Sequence, residues 1–203
     1  MTVTDVRIRK KGLSALYIDG EYAMELDTET LEENGIGKGV HLSDDDLHEL
    51  IEKSKLKRAK NKAMYLLTYR DRSRKELMDK IRRDCDEETA RLAVDRMEEL
   101  GLINDEAFAE KFARELLYVK KYSMRRTEYE LMQKGIDRQT ADEIIDRLEP
   151  DERALIAELI ERKYCRKLSD DKGKRQTVSA LLRQGYQYED IMAVIRDFVD
   201  ENE

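Results

Sequence analysis

The residues able to do chemistry are few in kind. The two histidines, His41 and His48, stand seven apart with Asp44, Asp45 and Asp46 between them. Imidazole and carboxylate are metal ligands, but a zinc site needs three or four defined ligands, and two histidines without a third fall short. Solvent-facing histidines near a helix start are the favoured reading, and no metal is expected. Cys85 and Cys165 are isolated, with no CxxC, so two partly buried free thiols are expected rather than a disulfide or a zinc site. The chain carries no P-loop, no GxGxxG and no GxSxG. Its carboxylates stand in strings such as DEET, which read as solvated helix faces and partners of helix dipoles. These absences point away from an enzyme; no catalytic residue and no cofactor are expected.

What remains is positive charge, and its placement matters more than its total. The net charge is −7, which taken alone argues against a nucleic-acid binder. Yet residues 53–83 hold thirteen Lys/Arg against three Asp/Glu, residues 84–119 reverse to four against eleven, and 163–185 hold seven against two. Three basic blocks stand out: Arg70, Arg72, Arg74 and Lys75; Lys120, Lys121, Arg125 and Arg126; and Lys172, Lys174 and Arg175. Such cations can track a polyanion or an acidic groove with salt-dependent affinity. The competing reading makes each block a solubilising face paired with acidic helices. Tyr65, Tyr69, Tyr118, Tyr122, Tyr164, Tyr186 and Tyr188 lie nearby. Stacking on bases is one use for them, and core packing with the hydroxyl at the surface is the more frequent one.

The elements that position these residues are helical for the most part. One proline, Pro150, and nine glycines leave few helix breakers. Charged residues make up 42% and aromatics 6%, which favours short helices with thin apolar faces over one thick core. No apolar run reaches the length of a membrane span, and the start MTVTDVRIRKKG lacks the apolar stretch of a signal peptide, so a cytoplasmic protein is expected. The first 40 residues differ. Val3, Ile8 and Ala15 to Ile18 are strand-like, and Asp19-Gly20 between SALYI and EYAMEL signals a two-residue hairpin. Gly35, Gly37 and Gly39 mark a loop, and Ser43 with Asp46 forms a capping box ahead of Leu47, Leu50 and Ile51.

Self-comparison shows a repeat. YLLTYRDRS (65–73) aligns with ELLYVKKYS (115–123) at an offset of 50, and after one inserted residue Ala90 and Val94 meet Ala141 and Ile145. A third copy follows at the same offset: Leu131, Gly135, Ala141 and Ile145 meet Leu181, Gly185, Ile191 and Ile195. Its first helix, around 152–166, aligns only with a gap near LSDDKG. Each copy predicts three helices. Ser73 and Ser123 cap the second, Gly135 and Gly185 end it in copies two and three, and Asp86 and Asp137 cap the third. Gly101 stops the last helix of copy one, and Asn104 or Asp105 caps the next. Phe108 and Phe112, four apart, are expected to pack where the two copies meet. The basic blocks fall at the turn before each second helix. The fold expected is mostly α: tandem three-helix repeats in an elongated array behind a small β-hairpin extension. The boundaries are 1–42 for the extension, 43–104, 105–150 and 151–203 for the repeats.

Three stretches, YRDRSRKELMDKI (69–81), GLINDEAFAEKFA (101–113) and ELMQKGI (130–136), resemble the RecX family of bacterial regulators of the RecA recombinase. The resemblance spans roughly residues 58–200. It implies tandem three-helix repeats, an N-terminal extension, no catalytic residues, and binding along RecA–DNA filaments that dampens their growth, ATP hydrolysis and strand exchange. It also implies some direct contact with single- or double-stranded DNA. A monomer is expected. Two rival readings stay open: a stand-alone DNA-binding helical module, against which the acidic third helices speak, and a repeat scaffold for another protein.

Overall fold

The computed structural model describes residues 1–10 and 12–200. It divides into two compact units, Met1–Ile103 and Asn104–Glu203.

The first unit opens with β1 (Val3–Ile8), β2 (Leu13–Ile18) and β3 (Glu21–Asp27), an antiparallel sheet in the order β1-β2-β3. The expected hairpin is the β2–β3 pair. Asp19 and Gly20 both take positive φ, 51° and 93°, as a two-residue turn with the right-handed strand twist requires. β1 pairs with β2 from Val3↔Ile18 to Ile8↔Ser14. A short helix, α1 (Thr28–Glu33), follows, capped by Asp27. The loop beyond it runs beside β1, where the Val3 N–H donates to the Val40 carbonyl at 2.8 Å.

The 26-residue helix α2 (Asp44–Tyr69) serves two cores. Its first half covers the sheet: Leu50, with Leu47 and Ile51 at its edge, packs among Val3, Leu16, Leu26 and Leu31. There the buried Ser54 hydroxyl accepts the Asp27 N–H at 2.7 Å. Its second half places Ala59 and Ala63 against Leu77 and Ile81 of α3 (Arg74–Ile81) and Ala90, Ala93, Val94 and Met97 of α4 (Glu87–Glu99). The leading helix expected to open the first repeat thus divides its burial between that repeat and the sheet.

The second unit holds two further three-helix sets. The first is α5 (Asp105–Arg114), α6 (Met124–Gln133) and α7 (Arg138–Leu148). The second is α8 (Glu152–Leu159), α9 (Asp171–Arg183) and α10 (Tyr188–Asp200). Both first helices end in a π-helical turn, Glu115–Val119 and Ile160–Tyr164. The burial pattern repeats with the sequence. Ile81, Leu131 and Leu181 are all fully buried, as are Ala90, Ala141 and Ile191. Truncating any of the first three to alanine removes about 2–5 kcal/mol, a large part of a domain's stability. Phe108 and Phe112 pack in the second set's core with Ala109, Leu131, Ile136 and Ile144. Their i, i+4 spacing stacks the two rings on each other, 5.6 Å between centroids.

Helices α1 to α9 share one device. Each opens on a residue whose side-chain oxygen accepts the backbone N–H three positions on. Examples are Ser73 with Glu76, Asp86 with Thr89, Asn104 with Ala107, Ser123 with Arg126, Asp137 with Thr140 and Asp170 with Gly173. Asn104, not Asp105, is therefore the cap of α5. At Asp86 the Thr89 N–H and then its hydroxyl hold the carboxyl below its ordinary range; at Asp137 the Thr140 hydroxyl and then its N–H do so. A lowered folded-state value means that the stability is complete above the ordinary carboxylate range and is lost as pH falls through the lowered value. The double variant Asp86→Asn/Asp137→Asn keeps one acceptor oxygen for the backbone N–H at each cap but cannot titrate. Urea unfolding at a series of pH values should show a shallower loss of its stability below about pH 4; an unchanged acid dependence would contradict this role for the two carboxylates.

Candidate functional site

The basic residues gather where second helices begin. In the 50-residue register, Lys75, Arg125 and Arg175 fall at one position, inside the first two turns of α3, α6 and α9. Arg125 and Arg175 are exposed, and neither has a carboxylate partner among the described residues. For Arg125, in the first turn of α6, this placement runs against helix electrostatics. A helix N-terminus carries partial positive charge, so cations in the first turn weaken the helix and carboxylates strengthen it. The first turn of α6 holds no acidic residue. Arg125 gains nothing from the dipole of α6 and is presented to solvent at the helix start, where it is suited to an anion outside the helix.

The other predicted cations are in part neutralised inside the protein. Arg74 pairs with Asp95 and Glu98 on α4, the third helix of its own repeat, and holds Asp95 below the usual carboxylate range. Arg70 grips the Glu76 carboxylate through both terminal nitrogens, at 3.0 and 3.2 Å. Arg72 donates to the Leu66 carbonyl at 3.2 Å and so closes the turn after α2. Lys120 pairs with Glu115 at 3.0 Å and lies over the Phe112 ring. Arg126 pairs with Glu130 and lies against Tyr122 and Tyr129. The first-repeat block is thus partly a structural clasp. In the third repeat Lys172 and Lys174 sit on helix rather than in a turn, because α9 starts three residues earlier in the register than α6. Gly173 stands where Ser73 and Ser123 stand; a Cβ there would collide with the Lys167 carbonyl.

The turn before α6 is clamped by the turn after α9. Lys121 takes a left-handed conformation, φ 55°, and its carbonyl accepts the Tyr186 hydroxyl at 3.0 Å. Tyr186 is 2% exposed, and burial pushes its hydroxyl far above its ordinary pKa. The Ser123 N–H donates to the Gln184 carbonyl at 3.1 Å. Gly185, φ 98°, lets the two turns touch: a Cβ would strike the Ser123 hydroxyl and lie 2.7 Å from the Arg126 Cβ. The Lys121 ammonium reaches Glu158 on α8 at 2.5 Å, and the Met124 N–H donates to Glu152 at 2.6 Å. Arg125 and Arg126 are therefore fixed relative to the third repeat, on the wall of a groove of about 630 Å³ that Arg138 and Arg183 also line.

The tyrosines divide. Tyr186 is core, as the more frequent use predicts. Tyr65 and Tyr69 are not: they are 60% and 66% exposed, with hydroxyls 2.6 Å apart on the outer face of α2. Cys165 is exposed rather than partly buried, and Cys85 is half-buried. His41 and His48 are both exposed, and no metal-ligand cluster occurs among the described residues. Asp105 lies in the first turn of α5, next to the cap Asn104. Arg138 and Arg183 lie inside the aligned repeats but outside the three basic blocks; the charge excess of 163–185 is the one sequence signal that includes Arg183.

Comparison with known proteins bears on this arrangement. A family model described as the first three-helix domain of RecX matches residues 59–97, and one described as its second three-helix domain matches 104–145. A "Regulatory protein RecX" from Caldanaerobacter subterraneus subsp. tengcongensis is 30% identical over 167 residues, covering 80% of this chain and 84% of that protein. One from Clostridioides difficile is 27% identical over 93% of this chain and 90% of the relative. Among solved structures, RecX from Lactobacillus salivarius is 26% identical and superposes with a TM-score of 0.58 over 71% of this chain and 96% of that one. A second regulatory protein RecX, at 20% identity, shares the fold over 97% of this chain and 98% of that one, with a TM-score of 0.67.

Two variants separate structural from presented cations. Arg125→Glu should leave the melting temperature unchanged or raised, since a carboxylate suits the first turn of α6. Arg74→Glu should lower it by setting a third carboxylate beside Asp95 and Glu98. A clear loss of stability in the first variant would contradict the assignment. Tyr186→Phe should cost about 1–2 kcal/mol in urea unfolding by orphaning the Lys121 carbonyl; a neutral result would show that the clamp does not rest on this bond.

Proposed function

We propose that this chain, which belongs to the RecX family of regulatory proteins, binds filaments of RecA on DNA and dampens their growth, ATP hydrolysis and strand exchange, and so acts on DNA repair and the SOS response. In this reading it is a monomer of the cytoplasm without catalytic activity. It acts as an extension over 1–42 followed by repeats at 43–104, 105–150 and 151–203. Among the described residues no helix is long and apolar enough to cross a membrane.

One observation supports the reading beyond family membership. Lys75, Arg125 and Arg175 recur at one register position, and Arg125 stands in the first turn of α6 against the preference of that helix. A cation kept at a position where it weakens its helix has a use outside that helix. Many such weak contacts, each repeated, suit a partner that is itself repetitive and negatively charged in places.

Reading DNA through a third helix, as a helix-turn-helix module does, fares worse. The exposed face of α4 carries Glu87, Glu88, Glu98 and Glu99, which would meet phosphates. The test is DNA-dependent ATP hydrolysis by the cognate RecA with this protein added. Hydrolysis should fall as the protein is titrated, and Lys75→Glu/Arg125→Glu/Arg175→Glu should weaken the effect by roughly tenfold or more, as the loss of several charge contacts does. Unchanged hydrolysis at saturating protein would sink the proposal.

A further inference from the structure

The two helix sets of the second unit, α5–α7 and α8–α10, have separate apolar cores. Polar contacts join them, and four of these land on residues 121–124, the turn before α6. The Lys121 carbonyl accepts the Tyr186 hydroxyl, and the Ser123 N–H donates to the Gln184 carbonyl. The Met124 N–H donates to Glu152, and the Lys121 ammonium to Glu158. The chain itself crosses from α7 to α8 through three residues, Glu149, Pro150 and Asp151. Both ends of this link are pinned. The Tyr118 hydroxyl donates to the Leu148 carbonyl at 2.8 Å on one side, and Asp151 caps α8 on the other. A short link between two pinned helices, with a polar fastening elsewhere, has the layout of a hinge and a latch.

The fastened state carries costs. Glu149 and Lys121 take left-handed conformations, φ 46° and 55°, which disfavour residues with a Cβ. The Thr127 hydroxyl, one turn into α6, and the Gln184 side-chain oxygen are buried with no hydrogen-bond partner among the described residues. Glu152 is half-buried, and no cation pairs with it among the described residues. Facing it are the Met124 N–H from α6, Asp190 from α10 and Tyr186 from the turn before α10; Arg153, its neighbour on α8, is spent on Asp190 at 3.2 Å. Burial pushes the Glu152 carboxyl above its ordinary range, the Met124 N–H opposes this, and the Asp190 charge adds to it. Water can replace each polar partner when such contacts part, so little is lost on opening, and the buried orphans gain partners.

The groove of about 630 Å³ depends on the fastening. Arg125, Arg126, Tyr129 and Arg138 line it from one set, Arg183 and Tyr186 from the other. We infer that the third helix set is a hinged flap, which swings on residues 149–151 and is latched to the turn 121–124, so that this groove exists only while the latch is closed. The opening stands apart from the filament reading, which enters only in what the closed groove would serve. It is tested without RecA or DNA, so the two fail separately.

The experiment is double electron–electron resonance on the full chain. Spin labels go on Gln139→Cys of α7 and Ser179→Cys of α9, both exposed, in a background of Cys85→Ser/Cys165→Ser. Two separations are expected, closed and open. Tyr186→Phe should raise the open-to-closed ratio roughly tenfold, and Tyr186→Phe/Glu158→Gln roughly a hundredfold, as the loss of one and of two hydrogen bonds does. Glu152→Gln keeps an acceptor for the Met124 N–H and removes the buried charge, so it should shift the ratio toward closed. The raised Glu152 value means that the latched state takes up a proton. The wild type should therefore close further as pH falls from about 7 toward about 4.5, and reopen as pH rises through the raised value, while Glu152→Gln should not respond. Glu158, held low by Lys121 and then by Arg162, opposes this only at lower pH. Unfolding of a variant would broaden the distances rather than give a second defined one. A single separation shared by the wild type and the double variant would overturn the proposal, as would opening of the latch by Glu152→Gln.

Discussion

The hydrogen bond on which this fold depends is short and local: a side-chain oxygen accepting the backbone N–H three residues on, at the start of nine successive helices from α1 to α9. The helices of the repeats are mostly 8–13 residues long. Isolated helices of that length are marginal in water, and each core here is a thin layer of Ala, Leu, Ile and Val. A cap adds about 1 kcal/mol and also fixes the residue at which the helix begins. Where starts are fixed, the register of every apolar face is fixed with them. A slip of one residue at Ser123 would turn Leu131 away from Ile144.

Caps also fix where the cations stand. Ser73 and Ser123 are buried, so the first turns of α3 and α6 are anchored from below while Lys75 and Arg125 face outward. In the second unit the anchoring is doubled by the contact of two turns at Gly185, Tyr186, Lys121 and Ser123. That contact spends a left-handed residue and a buried hydroxyl to hold neighbouring repeats in one geometry. While it is made, α6 and α9 share one basic wall. In the first unit the neighbouring arginines do different work: Arg70, Arg72 and Arg74 bind Glu76, the Leu66 carbonyl and α4, closing the repeat itself.

Much of this was legible in the sequence because caps and turns are local chemistry. Ser43, Ser73, Asp86, Ser123 and Asp137 announce helices by residue type alone, and Asp19-Gly20 announces its turn. The offset of 50 carried the apolar register across three copies. Tertiary decisions were not legible. Helix α1 is six residues long, too short for a periodicity to show. The two-sided role of α2 hides because its buried residues include Ser54, Ala59 and Ala63, small or polar side chains that form no apolar stripe. The π-helical ends of the first helices in copies two and three carry no residue signature. Among the basic residues, sequence alone could not separate Arg74, neutralised by carboxylates more than twenty positions away, from Arg125, which is not. Nor could it see that Arg183, at the far end of α9, lines one groove with Arg125.

The central claim is that the capped starts of the second helices are the contact surface for the filament. Hydrogen–deuterium exchange of the full chain, alone and with RecA assembled on single-stranded DNA, reads that surface directly. Exchange should slow on binding in the segments 70–77, 120–127 and 171–178, together with 183–188. Protection confined to the sheet of residues 3–27, or to the acidic third helices, would contradict it.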